Sequence, residues 1–158
     1  MDGTDTCLLT HPCNFMVSDL SFTARVIAGF GRGSSELGFP TANLDFSGSE
    51  IYLEDGVYYG YAEVVGIDVG PQKMVMSVGY NPFFKNECKS YEVHILNEYS
   101  EKFYGFTVAV TVKGFIRNQS TFDSVECLIL QIEKDIKYAH RALNENKGEY
   151  RSQNRIDP

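Results

Sequence analysis

Hydrophobic and polar residues alternate in several short segments of the first 116 residues. A period of two is typical of β-strands that bury one face. The clearest case is 89–96, where Glu92 and His94 share the polar face opposite the hydrophobic residues. The pattern predicts further strands over 21–28, 56–65, 73–80 and 103–116.

The pattern changes after residue 124, where hydrophobic residues recur every three or four positions. This spacing predicts a helix of about five turns with one apolar face. Asp123 and Glu126 have the spacing of a capping box, which predicts that the helix begins there. The apolar face is formed by Val125, Leu128, Ile129, Ile132, Ile136, Ala139 and Leu143.

About six short strands followed by one helix predict a mainly β fold. Strands at roughly ten-residue spacing indicate a closed or nearly closed barrel, with the helix packed on its outside or across one end. The 158 residues suit one compact domain. We expect a lead-in over 1–19, the domain over 20–143 and a frayed polar tail over 144–158.

Composition narrows the class of function. The net charge is −7 and the basic residues are scattered, which argues against a main role in binding nucleic acid. No apolar run approaches the roughly 18 residues of a membrane span, and no secretory signal is visible. Cys7, His11 and Cys13 fit no zinc module, so we interpret the four cysteines as free thiols. We expect a monomeric cytoplasmic protein, with an organelle reached without a cleavable signal left open.

A glycine-rich segment covers 29–40. It is not a dinucleotide fingerprint, because Ser34 stands in the last glycine position. It is not a P-loop either, because Phe39 and Pro40 stand where Lys and Ser or Thr are required. Closely spaced glycines still let backbone N–H groups approach phosphate oxygens, although such a segment taken alone is more often a simple turn.

The residues that follow the glycines favour a nucleotide site over a simple turn. Thr41 and Asn43 are two positions apart, so they point the same way in an extended chain. Their hydroxyl and amide oxygens are acceptable ligands for Mg²⁺, which takes few protein oxygens when phosphates and waters complete its shell.

The segment 29–34 followed by 37–43 resembles the signature of the riboflavin kinase (flavokinase) family. Five further segments occur in the order and at about the separations of that family, and five in order make a chance match improbable. They are 56–60, 77–84, 90–95, 103–105 and 114–124. The resemblance covers about residues 20 to 143.

The resemblance implies a six-stranded closed Greek-key barrel with a C-terminal helix. It implies transfer of the γ-phosphate of Mg-ATP to the 5′-hydroxyl of riboflavin, giving FMN and ADP. Glu92 would be the catalytic base, and Thr41 and Asn43 would bind Mg²⁺, with Zn²⁺ or Mn²⁺ as alternatives. The implied ATP contacts are Gly29, Gly31, Gly33, Ser35, Thr41, Asn43, Ile95, Asn97 and Tyr104. The implied flavin contacts are Arg117, Ser120, Phe122 and Asp123.

Each of these side chains also has an ordinary structural explanation. Glu92 could accept the proton of the ribityl hydroxyl, but it could also be a solvated carboxylate on a strand. His94 could orient Glu92 or contact a phosphate, or it could simply be hydrogen-bonded or solvated. Arg117 could be a surface arginine, and Tyr104 and Phe122 could be core aromatics.

Two positions depart from the family pattern, and one other class of function stays open. Ser35 stands where many family members carry Lys, and Asn118-Gln119 follows Arg117 where Pro-Glu is usual. The alternative is a non-catalytic barrel that binds a flavin or another flat hydrophobic ligand. Because the chain has no room for a nucleotidyl-transfer domain, we expect FMN and not FAD as the end product.

Overall fold

The computed structural model describes residues 19–28, 37–45, 51–80 and 89–153, with side chains up to residue 145. These residues form six strands and one helix. The elements are β1 Leu20–Ile27, β2 Ala42–Asp45, β3 Gly56–Val64, β4 Gln72–Gly79, β5 Ser90–Ile95, β6 Thr107–Arg117 and α1 Val125–Gln153. No helix among them is long and apolar enough to cross a membrane.

The strands close into an antiparallel barrel in the order β1-β2-β5-β4-β3-β6, and β6 pairs with β1 to complete the ring. Strands β3, β4 and β5 are consecutive neighbours, and β2 returns beside β5, which is Greek-key connectivity. The predicted mainly β barrel with a C-terminal helix is therefore confirmed.

The barrel interior is filled by the hydrophobic half of each alternating strand. Met74, Met76, Val93, Val110 and Val112 are almost completely buried there. The face assignment predicted for β5 is confirmed, because its hydrophobic residues point inward while Glu92 and His94 point outward. The outer face of β5 therefore carries polar chemistry that the core does not need.

Two boundaries differ from the sequence prediction, one because of a long-range hydrogen bond and one because of helix propensity. The predicted strand over 103–116 begins only at Thr107, since Gly105 has φ +81° and its N–H donates to the Val26 carbonyl at 2.8 Å. The helix does not fray after Leu143 but continues to Gln153. Where apolar residues stop recurring every three or four positions, a helix no longer packs against its neighbours. Polar residues with fair helix propensity can still extend the helix itself.

The helix lies on the outside of the barrel, mainly against β4 and also against β3 and β6. Ala139 and Leu143 are buried in this contact. Beyond them, the Lys73 ammonium donates to the Asn144 side-chain oxygen at 2.7 Å. These contacts hold the C-terminal half of the apolar stripe, so the N-terminal half is positioned above the outer face of the sheet.

The helix is capped by Ser124, and the predicted cap at Asp123 is wrong by one residue. The Ser124 Oγ accepts the Cys127 N–H at 3.2 Å, and the Ser124 carbonyl accepts the Leu128 N–H at 3.2 Å. Both Asp and Ser are good cap residues, so only the path of the chain after β6 selects between them.

We therefore expect Ser124→Ala to lower the free energy of unfolding by about 1 kcal/mol. Asp123→Ala is the matched control and is expected to change stability much less. Urea unfolding followed by circular dichroism measures both, and a larger loss for Asp123→Ala would contradict the assigned cap.

Candidate active site

A row of outward-facing side chains runs across five neighbouring strands of the barrel. Asn43 on β2 lies opposite Glu92 on β5, and Glu92 lies opposite Ser77 on β4. Ser77 lies opposite Val57 on β3, which in turn lies opposite Arg117 at the end of β6. Directly opposed residues share a face of the sheet. This register therefore places Glu92 between Asn43 on one side and the start of the loop after β6, at Arg117, on the other.

A cavity of about 230 Å³ lies between this row and the helix. The sheet contributes Glu92 and Ser77 to its wall, and α1 contributes an apolar surface that includes Ile132 and Ile136. Thr41 borders it beside β5, while the segment after β6 borders it through Arg117, Gln119 and Phe122. Residues from four different strands, from the segment before β2, from the segment after β6 and from the helix thus meet around one space.

Glu92 contributes a carboxylate to the wall of the cavity that the sheet forms. Burial raises the pKa of the Glu92 carboxyl above its ordinary value. Among the residues that the structure describes, none donates a hydrogen bond to it. A carboxylate that is partly desolvated and uncommitted to other groups is suited to accept a proton from a ligand hydroxyl.

The same burial predicts a stability effect in the metal-free protein. Below pH 4.5, the ordinary value, the carboxyl is protonated in both the folded and the unfolded chain. As the pH rises, the unfolded chain ionises first, so the charge of Glu92 destabilises the fold. We expect Glu92→Gln to be more stable than the parent near neutral pH and equal to it in acid, as measured by the melting temperature across pH. A parent that is the more stable protein at neutral pH would contradict this.

His94 is hydrogen-bonded to the backbone rather than to Glu92. Its Nδ1 lies 2.7 Å from the Pro40 carbonyl oxygen and therefore donates to it. The Phe39 ring meets the imidazole edge-on, with 6.0 Å between the ring centroids. His94 thus holds the 39–41 segment on β5, and this contact places Thr41 at the cavity.

Thr41 and Asn43 project from the same outward face, as the sequence predicted, and both are partly buried. Asn43 is the cross-strand neighbour of Glu92. Neutral hydroxyl and amide oxygens beside one carboxylate suit a hard cation whose shell is completed by phosphates. No cluster of three or more His, Cys, Asp or Glu ligands occurs among the described residues, so nothing there resembles an all-protein metal cage.

Arg117 is bound to a carboxylate that the sequence analysis did not select. Its Nε and Nη2 donate to the two oxygens of Asp135 at 2.9–3.2 Å, and its Nη1 donates to the Asn118 carbonyl at 3.1 Å. The guanidinium carbon is 5.8 Å from the centroid of the Phe122 ring. Asp135 lies on the apolar stripe of α1, and a charge at such a position was the signal available in the sequence.

Gln119 ties the segment after β6 to the sheet. Its side-chain nitrogen is 2.7 Å from Ser77 Oγ and 3.0 Å from the Val78 carbonyl oxygen. Ser77 and Gln119 also line the cavity; both lie in segments that resemble the family pattern, but the sequence analysis assigned neither a site role. The other predicted flavin contacts, Ser120 and Asp123, are exposed and do not line the cavity.

The predicted nucleotide contacts that can be placed lie at the end of the barrel where β5 stops and β6 begins. The Ile95 side chain is buried in the core, which leaves only its backbone for a ligand. Asn97 donates to Asp68 at 3.4 Å, and Tyr104 is exposed. Burial and a hydrogen bond to Asp68 raise the pKa of Tyr99 nearby to about 12.

Several residues named by the sequence analysis lie outside the described residues. The glycine-loop residues and the Cys/His group near the N-terminus belong to segments for which no structure is given. They are Gly29, Gly31, Gly33, Ser35, Cys7, His11 and Cys13. The part of the glycine-rich segment without a described structure lies in the sequence between Ala28, directly after β1, and Leu37, five residues before β2.

The family model, the curated relatives and one solved structure indicate the same family. A family model described as "Flavokinase: Riboflavin kinase" matches residues 16–143. Human riboflavin kinase is 43% identical over 122 residues, which cover 75% of this chain and 77% of the human protein. The crystal structure of riboflavin kinase from Trypanosoma brucei has a TM-score of 0.58 and 26% identity, over 80% of this chain and 78% of that one. A Streptococcus pneumoniae structure described as a macrolide-efflux protein has a TM-score of 0.67 and 31% identity, over 77% of this chain and 38% of its own.

Proposed function

The chain belongs to the riboflavin kinase family, and on this basis we propose that it transfers the γ-phosphate of ATP to the 5′-hydroxyl of riboflavin. The products are FMN and ADP. The main support for the proposal is the position of Glu92. Its side chain lines the same cavity as Thr41 and an apolar face of the helix.

The two sides of the cavity suit the two substrates. Leu128, Ile132 and Ile136 offer an apolar surface for the flat flavin ring. The ribityl chain is polar, and it would lie along the row that contains Ser77 and Glu92. This orientation brings the terminal hydroxyl of riboflavin to Glu92 and directs it at the nucleotide side.

Glu92 would act as general base in the transfer. It removes the proton of the 5′-hydroxyl as that oxygen bonds to the γ-phosphorus, while the bond from phosphorus to the ADP oxygen breaks. Thr41 and Asn43 would hold Mg²⁺, which neutralises the charge of the transferring phosphate when bound. His94 contributes by keeping Pro40, and with it Thr41, on β5.

We propose that the nucleotide lies at the barrel end where β5 stops and β6 begins, beside the 95–107 connection. Asn97 and Tyr104 are available there to border it, and closely spaced glycines suit close approach of the backbone to phosphates. The cavity, at about 230 Å³, is below the ~300–1,000 Å³ usual for ligand pockets.

The proposal is tested by chromatography of riboflavin incubated with ATP and Mg²⁺. We expect FMN and ADP to appear in equal amounts, and a chelator to stop the reaction. Tight riboflavin binding with no FMN under any nucleotide and divalent metal would replace the kinase with the carrier alternative. That alternative gives no chemical role to a half-buried Glu92 that lines the same cavity as Thr41.

We further propose that the active species is a cytoplasmic monomer, as the sequence predicted. Light scattering on the purified protein checks its mass, and cell fractionation checks its compartment. A stable dimer in solution would overturn the first part without affecting the assigned reaction.

A further inference from the structure

Asp135 is a buried charge on the helix face that packs against the barrel. Only 3% of its surface is exposed, and it is the one polar residue among the described residues that is fully buried. It lies three positions after Ile132 and four before Ala139, on the apolar stripe. A buried carboxylate persists only when it is paired and hydrogen-bonded.

The pairing of Asp135 is geometrically specific. Arg117 Nη2 lies 2.9 Å from Oδ2, and Nε lies 3.0 Å from Oδ1, which is a forked contact along one edge of the guanidinium. Gln131, one turn earlier on the helix, donates to Oδ1 at 3.0 Å. The carboxylate is therefore fixed by its own helix and fixes Arg117 in turn.

This pairing determines which donors of Arg117 remain for a ligand. An arginine has five N–H donors, and three of them are used by Asp135 and the Asn118 carbonyl. Within the described part of the chain, one N–H on each Nη has no acceptor, and both Arg117 and Asp135 line the cavity. The guanidinium also lies within cation–π distance of the Phe122 ring. The orientation of the guanidinium plane therefore influences the position of that ring.

Stability alone does not account for such a pair. Apolar residues of similar volume often replace a buried ion pair with no loss of stability. A neutralised arginine in a cavity wall instead offers two directed donors without adding net charge, which suits a neutral ring that carries carbonyl oxygens. The isoalloxazine ring of riboflavin is such a ligand.

We propose that Asp135 is a positioning residue for the flavin. It holds one edge of Arg117 so that the remaining N–H donors face the carbonyl oxygens of the isoalloxazine ring, and it keeps Phe122 beside that ring. The inference rests on the proposed function, because riboflavin as occupant of the cavity comes from it. Asp135 acts on the flavin side and leaves ATP binding unchanged.

The test is Asp135→Asn, with the riboflavin Kd measured from quenching of flavin fluorescence and the KM measured for both substrates. We expect the riboflavin Kd to rise about 10- to 100-fold, the range for losing a charged hydrogen-bond partner, with the KM for ATP unchanged. Glu133→Gln is the matched control, because it removes the same charge from an exposed position of the same helix. It is expected to behave as the parent does.

A double-mutant cycle tests whether Asp135 acts through Arg117. If it does, Arg117→Met with Asp135→Asn binds riboflavin no more weakly than Arg117→Met alone. If Asp135→Asn does not fold, Arg117→Met with Asp135→Leu supplies an apolar pair that is expected to fold and to bind riboflavin weakly. Additive losses in the cycle, or normal riboflavin binding by the apolar pair, would overturn the proposal.

Two other results would also overturn it: a riboflavin Kd for Asp135→Asn equal to that of Glu133→Gln, or a KM for ATP that rises in parallel. Failure of the proposed function is visible separately in the parent protein. A parent that binds riboflavin but makes no FMN removes the kinase and leaves the test of Asp135 in force. A parent that does not bind riboflavin removes both.

Discussion

Glu92→Gln is expected to lower kcat for FMN formation by about 10²- to 10⁴-fold, the usual contribution of a general base. The amide has nearly the shape of the carboxylate but cannot accept the proton of the ribityl hydroxyl. Because Glu92 is proposed to act on the reacting proton rather than on binding, the riboflavin Kd is expected to stay near that of the parent. The chromatographic FMN assay together with flavin fluorescence measures both quantities.

Glu63→Gln is the matched control, since Glu63 is also a partly buried glutamate on a strand but does not line the cavity. It is expected to keep the activity of the parent. If Glu92→Gln retains nearly full kcat, the base is a different group, and the assignment of Glu92 fails while the reaction itself stands.

Gly60→Ala is expected to have the largest effect on stability. A Cβ at Gly60 would lie 2.0 Å from the Thr111 carbonyl oxygen and 3.0 Å from the Lys113 backbone nitrogen. This is where the β3–β6 pairing shifts register at a bulge, between Tyr59 and Gly60. Both contacted atoms belong to a paired strand that cannot move without opening the barrel. We expect a loss at or above the upper end of the ~1–3 kcal/mol typical of overpacking.

Two other glycines provide graded controls in the same urea-unfolding measurement. A Cβ at Gly114 would meet the Tyr59 ring at 2.5–2.7 Å, and a partly exposed side chain can turn away, so Gly114→Ala should cost less. Gly70 has nothing within 4 Å and no positive φ, so Gly70→Ala should be neutral or stabilising by about 0.4–1 kcal/mol. Equal losses for Gly60→Ala and Gly114→Ala would contradict the backbone clash as the cause.

The Glu92 prediction depends on a feature that could be read from the sequence. Alternation over 89–96 was sufficient to place Glu92 and His94 outward, and the spacing of Thr41 and Asn43 placed both on one face. The structure confirms these face assignments. Alternation with a period of two depends only on residues adjacent in the chain. The face of each side chain can therefore be predicted without knowing the partner strands.

For the helix, local periodicity predicted only some of its features. Its apolar stripe was identified from the sequence, but whether it would pack outside the barrel or across one end was not. The cap at Ser124 instead of Asp123 and the continuation to Gln153 also escaped prediction. Each depends on where the chain leaves β6 and on how far the helix can extend beyond its packed half, and neither is encoded in the apolar period.

The sequence by itself predicted the mainly β barrel and the outward polar face of β5, because these follow from short-range periodicity and spacing, while the roles of the candidate base and metal ligands came from the resemblance to a known family. Only the tertiary structure decided that Asn43, Glu92, Ser77, Val57 and Arg117 form one row. Only the tertiary structure paired Arg117 with Asp135, eighteen residues away. Strand register and helix docking are set by contacts between residues distant in the chain, so no local pattern can specify which side chains finally meet.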